Sequence, residues 1–155
     1  MKRTIVTPAG SQPAALSELK DWLGITTPGD DAQLSALLRT ALDLCEDFTG
    51  TMPVQQTCEE LLPVTGTWTK IAARPVQAIL AVEGVPAEGA RFALPAGNYA
   101  IELDADGGGR VLVHNSGAAG RIAVRFIAGL AADWAALPPA AVAAMWRPWR
   151  QLRLA

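Results

Sequence analysis

The strongest constraint in this sequence is the stretch between Asp30 and Gly50. There Leu34, Leu37, Leu38, Ala41, Leu44, Cys45 and Phe48 recur at helical spacing, with Gln33, Arg39, Asp43, Glu46 and Asp47 largely elsewhere on the wheel. Asp30, three residues before Gln33, gives the capping-box arrangement, and Gly50 is the natural residue just past the last turn. The predicted helix has about 18 residues and a length of about 27 Å. A shorter helix is predicted before it, from the stripe Leu16, Leu19, Leu23 with Trp22 alongside, Pro13 in its first turn and Gly24 at its end. Beyond Gly50 the apolar period falls to about 2. Candidate strands are Val54–Leu61, Val76–Glu83, Asn98–Leu103, Arg110–His114 and Arg121–Ile127. Asp104-Ala105-Asp106-Gly107-Gly108-Gly109 reads as a β-hairpin turn. Leu137-Pro138-Pro139 opens a third helix with Val142, Met145, Trp146 and Trp149 on one side; Pro148 should kink it or end it near Arg147. The expected fold class is α+β, an N-terminal helical pair and a C-terminal helix packed around a small, mainly antiparallel sheet.

At 155 residues the expectation is a single domain, 1–155, that buries roughly 68–70% of its unfolded surface and needs no disulfide staple. Residues 1–12 are expected to form a flexible arm and 147–155 a docking tail. Thirteen Lys and Arg against fifteen Asp and Glu give a net charge of -2, so the molecule as a whole is no polyanion binder. Two cysteines without a CxxC point to a reducing compartment. No apolar run approaches the roughly 18 residues of a membrane span, and Met1-Lys2-Arg3 is not followed by a signal-peptide core, so an intracellular, soluble protein with no membrane partner is expected. Half the residues are hydrophobic and 18% charged, but 29 are alanine, which adds little buried area.

The inventory of reactive groups is sparse. The one histidine, His114, reads as a strand residue half exposed to water and gets no role. Cys45 and Cys58 read as small buried hydrophobes. Asp104-Ala105-Asp106-Gly107 lacks the distal Glu of a calcium loop. No Walker A, GxGxxG, GxSxG or HExxH pattern occurs. The expectation is no enzyme, no catalytic residue, no cofactor and no metal. Arg121 and Arg125 on one strand face, with Arg110 near them, are candidate contacts to a nucleic-acid backbone, with cross-strand pairing to Glu102 or Asp104 the competing reading. The basic, aromatic C-terminal end, Trp146, Arg147, Trp149, Arg150 and Arg153, reads as a docking segment.

Six pieces occur in order: Leu16-Ser17-Glu18-Leu19-Lys20-Asp21-Trp22-Leu23-Gly24-Ile25, Asp30-Asp31-Ala32-Gln33-Leu34 with Ala41 through Gly50, Val54-Gln55-Gln56-Thr57, Ile71 through Ile79 around Arg74-Pro75, Val124-Arg125-Phe126-Ile127-Ala128-Gly129, and Leu137-Pro138-Pro139-Ala140-Ala141-Val142. In that order the chain resembles the head-tail connector (adaptor) proteins of tailed bacteriophages and gene transfer agents. The resemblance implies a ring, commonly dodecameric, beneath the portal, extending the DNA channel and receiving a stopper or other neck or tail component. Its partners would be itself, the portal, the next neck protein and double-stranded DNA in sequence-independent passage, with Arg110, Arg121 and Arg125 as DNA-channel or inter-subunit contacts. Its location would be the virion or phage-like particle, with assembly in the host cytoplasm. A closed ring needs two different complementary patches per subunit, expected on the sides of the Asp31–Thr49 helix and on the neighbouring sheet face. Two departures stand out: Pro148 interrupts a helix that family members continue, and Ala15 replaces a common Ser or Thr cap, so the first helix is expected to start near Ser11. The competing reading is a small intracellular ligand- or peptide-binding module.

Overall fold

The computed structural model describes residues 3–9 and 12–152. The architecture is α+β, three helices and two antiparallel sheets among the described residues. The elements are β1 (Arg3–Thr7), α1 (Pro13–Leu23), α2 (Asp31–Thr49), β2 (Gln56–Pro63), β3 (Thr69–Lys70), β4 (Val76–Pro86), β5 (Phe92–Ala93), β6 (Tyr99–Leu103), β7 (Gly109–Val113), β8 (Ala119–Ala128) and α3 (Pro139–Leu152), with short 3-10 turns at Ala96–Asn98 and Trp134–Ala136.

The single domain expected from length divides into two compact units. One comprises Met1–Pro8 and Gln56–Gly129, the other Ala9–Gln55 and Leu130–Ala155. The cause is where the chain returns. In the helical unit Leu130 N–H donates to the Met52 carbonyl at 2.9 Å, Ala131 N–H to Pro53 at 3.1 Å and Gln55 N–H to Ala131 at 2.8 Å. Those bonds make a parallel bridge between Val54 and Ala131. The segment Gln56–Gly129 is thus inserted between two stretches that pair with each other, and with Met1–Pro8 it makes the sheet unit.

In the sheet unit the strand order is β1-β2-β8-β4-β5, with a second sheet β3-β7-β6. β8 is central because its alternation works: Ile122, Val124 and Phe126 are buried, while Arg121 and Arg125 are not. It pairs with β2 from Gln56↔Ala128 to Pro63↔Arg121, and with β4 on its other side. The β6–β7 hairpin forms as expected; Gly107 turns it at φ +82, which favours glycine. His114 lies just past β7 and is exposed. Arg3–Thr7 is an edge strand paired antiparallel with β2, not part of an arm. Thr4-Ile5-Val6-Thr7 is a β-branched run, and the open side of β2 gives it a ladder. Ser11, where the first helix was expected to begin, lies outside the described residues.

The helical unit is built on Ala15 and Leu19 of α1, Leu34 and Leu38 of α2, Val54, Trp134, Leu137, and Met145 and Trp146 of α3. The predicted caps hold at the C-terminal ends, where Gly24 (φ 73) and Gly50 (φ 66) are left-handed. The capping box does not form: Asp30 makes no side-chain cap bond at ψ 7, away from the extended cap conformation. Its neighbour Asp31 takes the charge at that helix start and accepts from Lys20 Nζ at 2.7 Å. α3 runs through Pro148 to Leu152, against the expected break at Arg147. The carbonyl that Pro148 leaves without a donor belongs to Ala144, an exposed residue, so water can satisfy it.

Candidate functional site

Glu18 stands beside the buried Ala15 and Leu19 of α1, on the exposed flank of that face. Its Oε2 accepts from the indole Nε1 of Trp134 at 2.8 Å and its Oε1 from Nε1 of Trp146 at 3.2 Å. The two rings lie 5.5 Å apart at 59°. Trp134 is set by its own turn: Gln12 Oε1 accepts from its backbone N–H at 2.9 Å, and Asp133 caps the turn by accepting from Ala136 N–H at 2.9 Å. Around this carboxylate an open groove of about 460 Å³ is lined by Ala14, Glu18, Trp134, Val142, Ala143 and Trp146. Partners 116 and 128 positions apart in the chain left no local pattern from which this grouping could be read.

The docking role given to Trp146 changes accordingly. Its ring is 9% exposed and belongs to the core, so it forms the floor of a groove rather than a projecting anchor. Arg147, Trp149 and Arg150 follow on the backbone of α3, with their side chains outside the description, and Arg153 lies outside the described residues.

The sheet arginines divide. Arg110 pairs with Asp104 at 2.7 Å and Glu102 at 3.2 Å, and its guanidinium carbon sits 5.9 Å from the Trp68 ring centroid. Arg125 reaches Glu59, its cross-strand partner, at 3.4 Å, and Arg91 holds the other oxygen of Glu59 at 2.7 Å. Both are therefore committed to carboxylates, which lowers the positive field they present at the surface. Arg121 is exposed and makes no ion pair among the described residues.

Reactive groups are muted. Burial pushes the Cys45 thiol up, only partly offset by Thr49, which disfavours the thiolate. Cys58 is fully buried. Among the described residues no group of three or more His, Cys, Asp or Glu is placed to hold a metal, and no helix is long and apolar enough to cross a membrane.

Exposed apolar side chains are concentrated. On α2, Leu37, Leu44 and Phe48 stand 37%, 60% and 96% exposed, spaced i, i+7, i+11 along one stripe next to the buried Leu34–Leu38 face. In the sheet unit Ile101 and Leu103 alternate on the outward side of β6, and Leu80 is exposed on β4. A protein rarely leaves such side chains grouped in water without a partner for them.

Among solved structures, a chain in the neck of the native gene transfer agent particle, determined with C12 symmetry, matches with TM-score 0.77 at 24% identity, covering 100% of this chain and 84% of that one. The chain has the fold of a gene transfer agent neck chain. A chain in the neck of the empty particle, with C6 symmetry, gives 0.76 at 24% identity over 94% of this chain and 80% of that one. A chain of the virion of the native particle gives 0.71 at 25% over the same shares. No family model matches the sequence, and no curated protein does. The neck fold agrees with the adaptor resemblance carried by the six ordered motifs. Those motifs fall on α1, α2, the approach to β2, the entry to β4, the end of β8 and the start of α3.

Proposed function

We propose that this chain is a structural adaptor of a phage or gene transfer agent particle, forming a ring between the portal and the neck or tail and continuing the DNA channel. The observation that carries this is the whole-chain fold match to neck chains of particles solved with C12 and C6 symmetry. A ring of twelve copies fits that symmetry. Heterologous closure requires two different patches per subunit, and the α2 stripe together with the outward apolar residues of β4 and β6 supplies them. The protein would reside in the particle after assembly in the host cytoplasm. A stopper or other neck protein would meet the opposite end of the ring.

The basic end of the chain, Arg147, Trp149, Arg150 and Arg153, is the portal-docking segment in this reading. Any DNA contact is weak and sequence-independent, through Arg121 first, because Arg110 and Arg125 are already paired. The test is sedimentation velocity of the full chain with and without portal. Closed rings alone or on portal are expected, and a strict monomer in both conditions would overturn the reading. Deleting residues 147–155 should abolish co-sedimentation with portal; undiminished binding removes the tail from the interface.

A further inference from the structure

The last two turns of α2 carry two adjacent stripes. Leu44 and Phe48, 60% and 96% exposed, form an apolar one, and Asp43 and Asp47, both exposed, run beside it one position back. Among the described residues neither aspartate makes an ion pair, not even with Arg39 one turn before Asp43, and the last turn holds no basic residue. Within the subunit this arrangement is unfavourable twice over. Like charges at i, i+4 repel, and anions near a helix C-terminus meet the negative end of its dipole. A cation set between apolar side chains would relieve both effects and cover Leu44 and Phe48.

The sheet unit carries such a cation. Arg121 is exposed and makes no ion pair among the described residues, whereas Arg74, Arg91, Arg110 and Arg125 are each held by a carboxylate. It lies across the ladder from Pro63 of β2 and from Val85 of β4, so its side chain emerges between two apolar neighbours on the same face. Further along β4 a bulge between Ile79 and Ala81 leaves Leu80 out of register and 53% exposed. Leu80 to Val85 spans about 16 Å of strand, and Leu37 to Phe48 about 16 Å of helix.

We propose that Arg121 of one copy docks between Asp43 and Asp47 on α2 of the next, with Phe48 against Val85 and Leu37 towards Leu80. The assignment rests on the ring reading and names the charged contact that closes it. A guanidinium can donate to two carboxylates at once, which suits aspartates one helical turn apart, and its weak hydration lowers the cost of covering it. The partner is a second copy because both halves of the contact, one acidic and apolar, the other basic and apolar, are on this chain at matching lengths, and neither finds the other within its own chain. One half belongs to the helical unit and the other to the sheet unit, so the contact is head-to-tail and leaves each copy one half for a further neighbour. Arg121, left for a weak DNA contact by the pairing of Arg110 and Arg125, is thereby taken up between subunits.

The experiment is a charge swap read by sedimentation velocity of the full chain, over a concentration series with portal present. Asp43→Lys/Asp47→Lys and Arg121→Glu each set like charges against each other and should each weaken association about tenfold relative to the parent at low salt. Mixed one to one they should assemble like the parent, because in an alternating ring every contact is again between opposite charges. Raising the salt should shrink the difference between the parent and each variant. If a reversal disturbs the subunit, seen as a shifted unfolding midpoint, the neutral substitutions decide. Arg121→Gln and Asp43→Asn/Asp47→Asn should each weaken association, and the combination should lose no more than the larger of the two. Parental assembly by either reversed variant alone, a mixture no better than its components, or losses that add in the neutral cycle would each overturn the contact while leaving the ring reading standing. A parent chain that stays monomeric with portal overturns both, so the two failures are told apart.

Discussion

Lys20 Nζ lies 2.7 Å from Asp31 Oδ1 and thereby fastens the last turn of α1 to the first turn of α2. The lysine side chain is 16% exposed and the aspartate 37%, so the pair is partly shielded from solvent. Each charge also sits at the helix end that favours its sign, cation at a C-terminus and anion at an N-terminus.

Replacing Lys20 by Met keeps the aliphatic stem and removes the charge. We expect a loss of about 0.5–1 kcal/mol in urea unfolding, with a coupling of similar size in the Lys20→Met/Asp31→Asn double-mutant cycle. A coupling near zero would show that the two helices are held by their apolar faces alone.

Trp146 separates packing from its polar contact. Trp146→Ala opens the core among Ala15, Leu38 and Met145 and should cost about 3–5 kcal/mol. Trp146→Phe retains most of the ring but leaves Glu18 Oε1 without its donor, adding about 1 kcal/mol to the smaller packing loss. A Trp146→Phe variant as stable as the parent would contradict a role for the indole N–H.

Much of this was legible in the sequence for reasons that apply within single segments. Leu34 to Phe48 carry a period that only a helix satisfies, and Ile122-Val124-Phe126 one that only a strand satisfies. Gly24, Gly50 and Gly107 marked their turns because each has positive φ. Misread features depended on distant partners. Arg3–Thr7 becomes a strand only because β2 offers an edge, and Pro148 is tolerated because Ala144 faces water. Trp146 reads as an anchor in a basic tail until Glu18, 128 positions away, and the ring of Trp134 are seen against it.

Glu60 gives a pH dependence. It is 4% exposed, and burial pushes its carboxyl above the usual 4.5, opposed by the Ala72 N–H that donates to Oε2 at 3.0 Å and by the Arg3 charge. Because the folded group holds its proton more tightly than the unfolded one, its contribution to stability falls as pH rises through the window above 4.5. Asp106 has the opposite sign: the Gly108 N–H and Arg74 hold its carboxyl below the usual value, so its contribution is lost as pH falls through that lower range. Glu60→Gln, which preserves an acceptor for Ala72, should flatten the decline above pH 4.5 in thermal unfolding. An unchanged profile would exclude Glu60 as its source.

Gly107 tests the hairpin. Its φ is +82, and an added Cβ would come 2.6 Å from Pro75 Cβ and 3.1 Å from Pro75 Cα. Gly107→Ala therefore combines left-handed strain with a clash against a ring that has little freedom to move, and should cost about 2 kcal/mol or more. Gly117, also at positive φ but with nothing within 4 Å of the added Cβ, should lose only the strain, about 1–2 kcal/mol on substitution by Ala. Similar losses at the two positions would show that Pro75 gives way.

Phe48 and Leu44 separate folding from assembly. At 96% and 60% exposure they contribute little to the free subunit, so Leu44→Ser/Phe48→Ser should change its unfolding free energy by no more than about 0.5 kcal/mol per site. If the α2 stripe is one of the two patches that close the ring, the same pair is buried between copies, at about 1.5–3 kcal/mol for each large apolar side chain. Association should then fall by about a hundredfold or more. Sedimentation velocity over a concentration series, with portal present, reads this directly. Arg39→Ala lies on the same helix but outside the stripe and controls for a general effect of altering α2. Rings that form normally from the double variant would move the closing contact off α2 and leave the outward residues of β4 and β6 as the surface to examine.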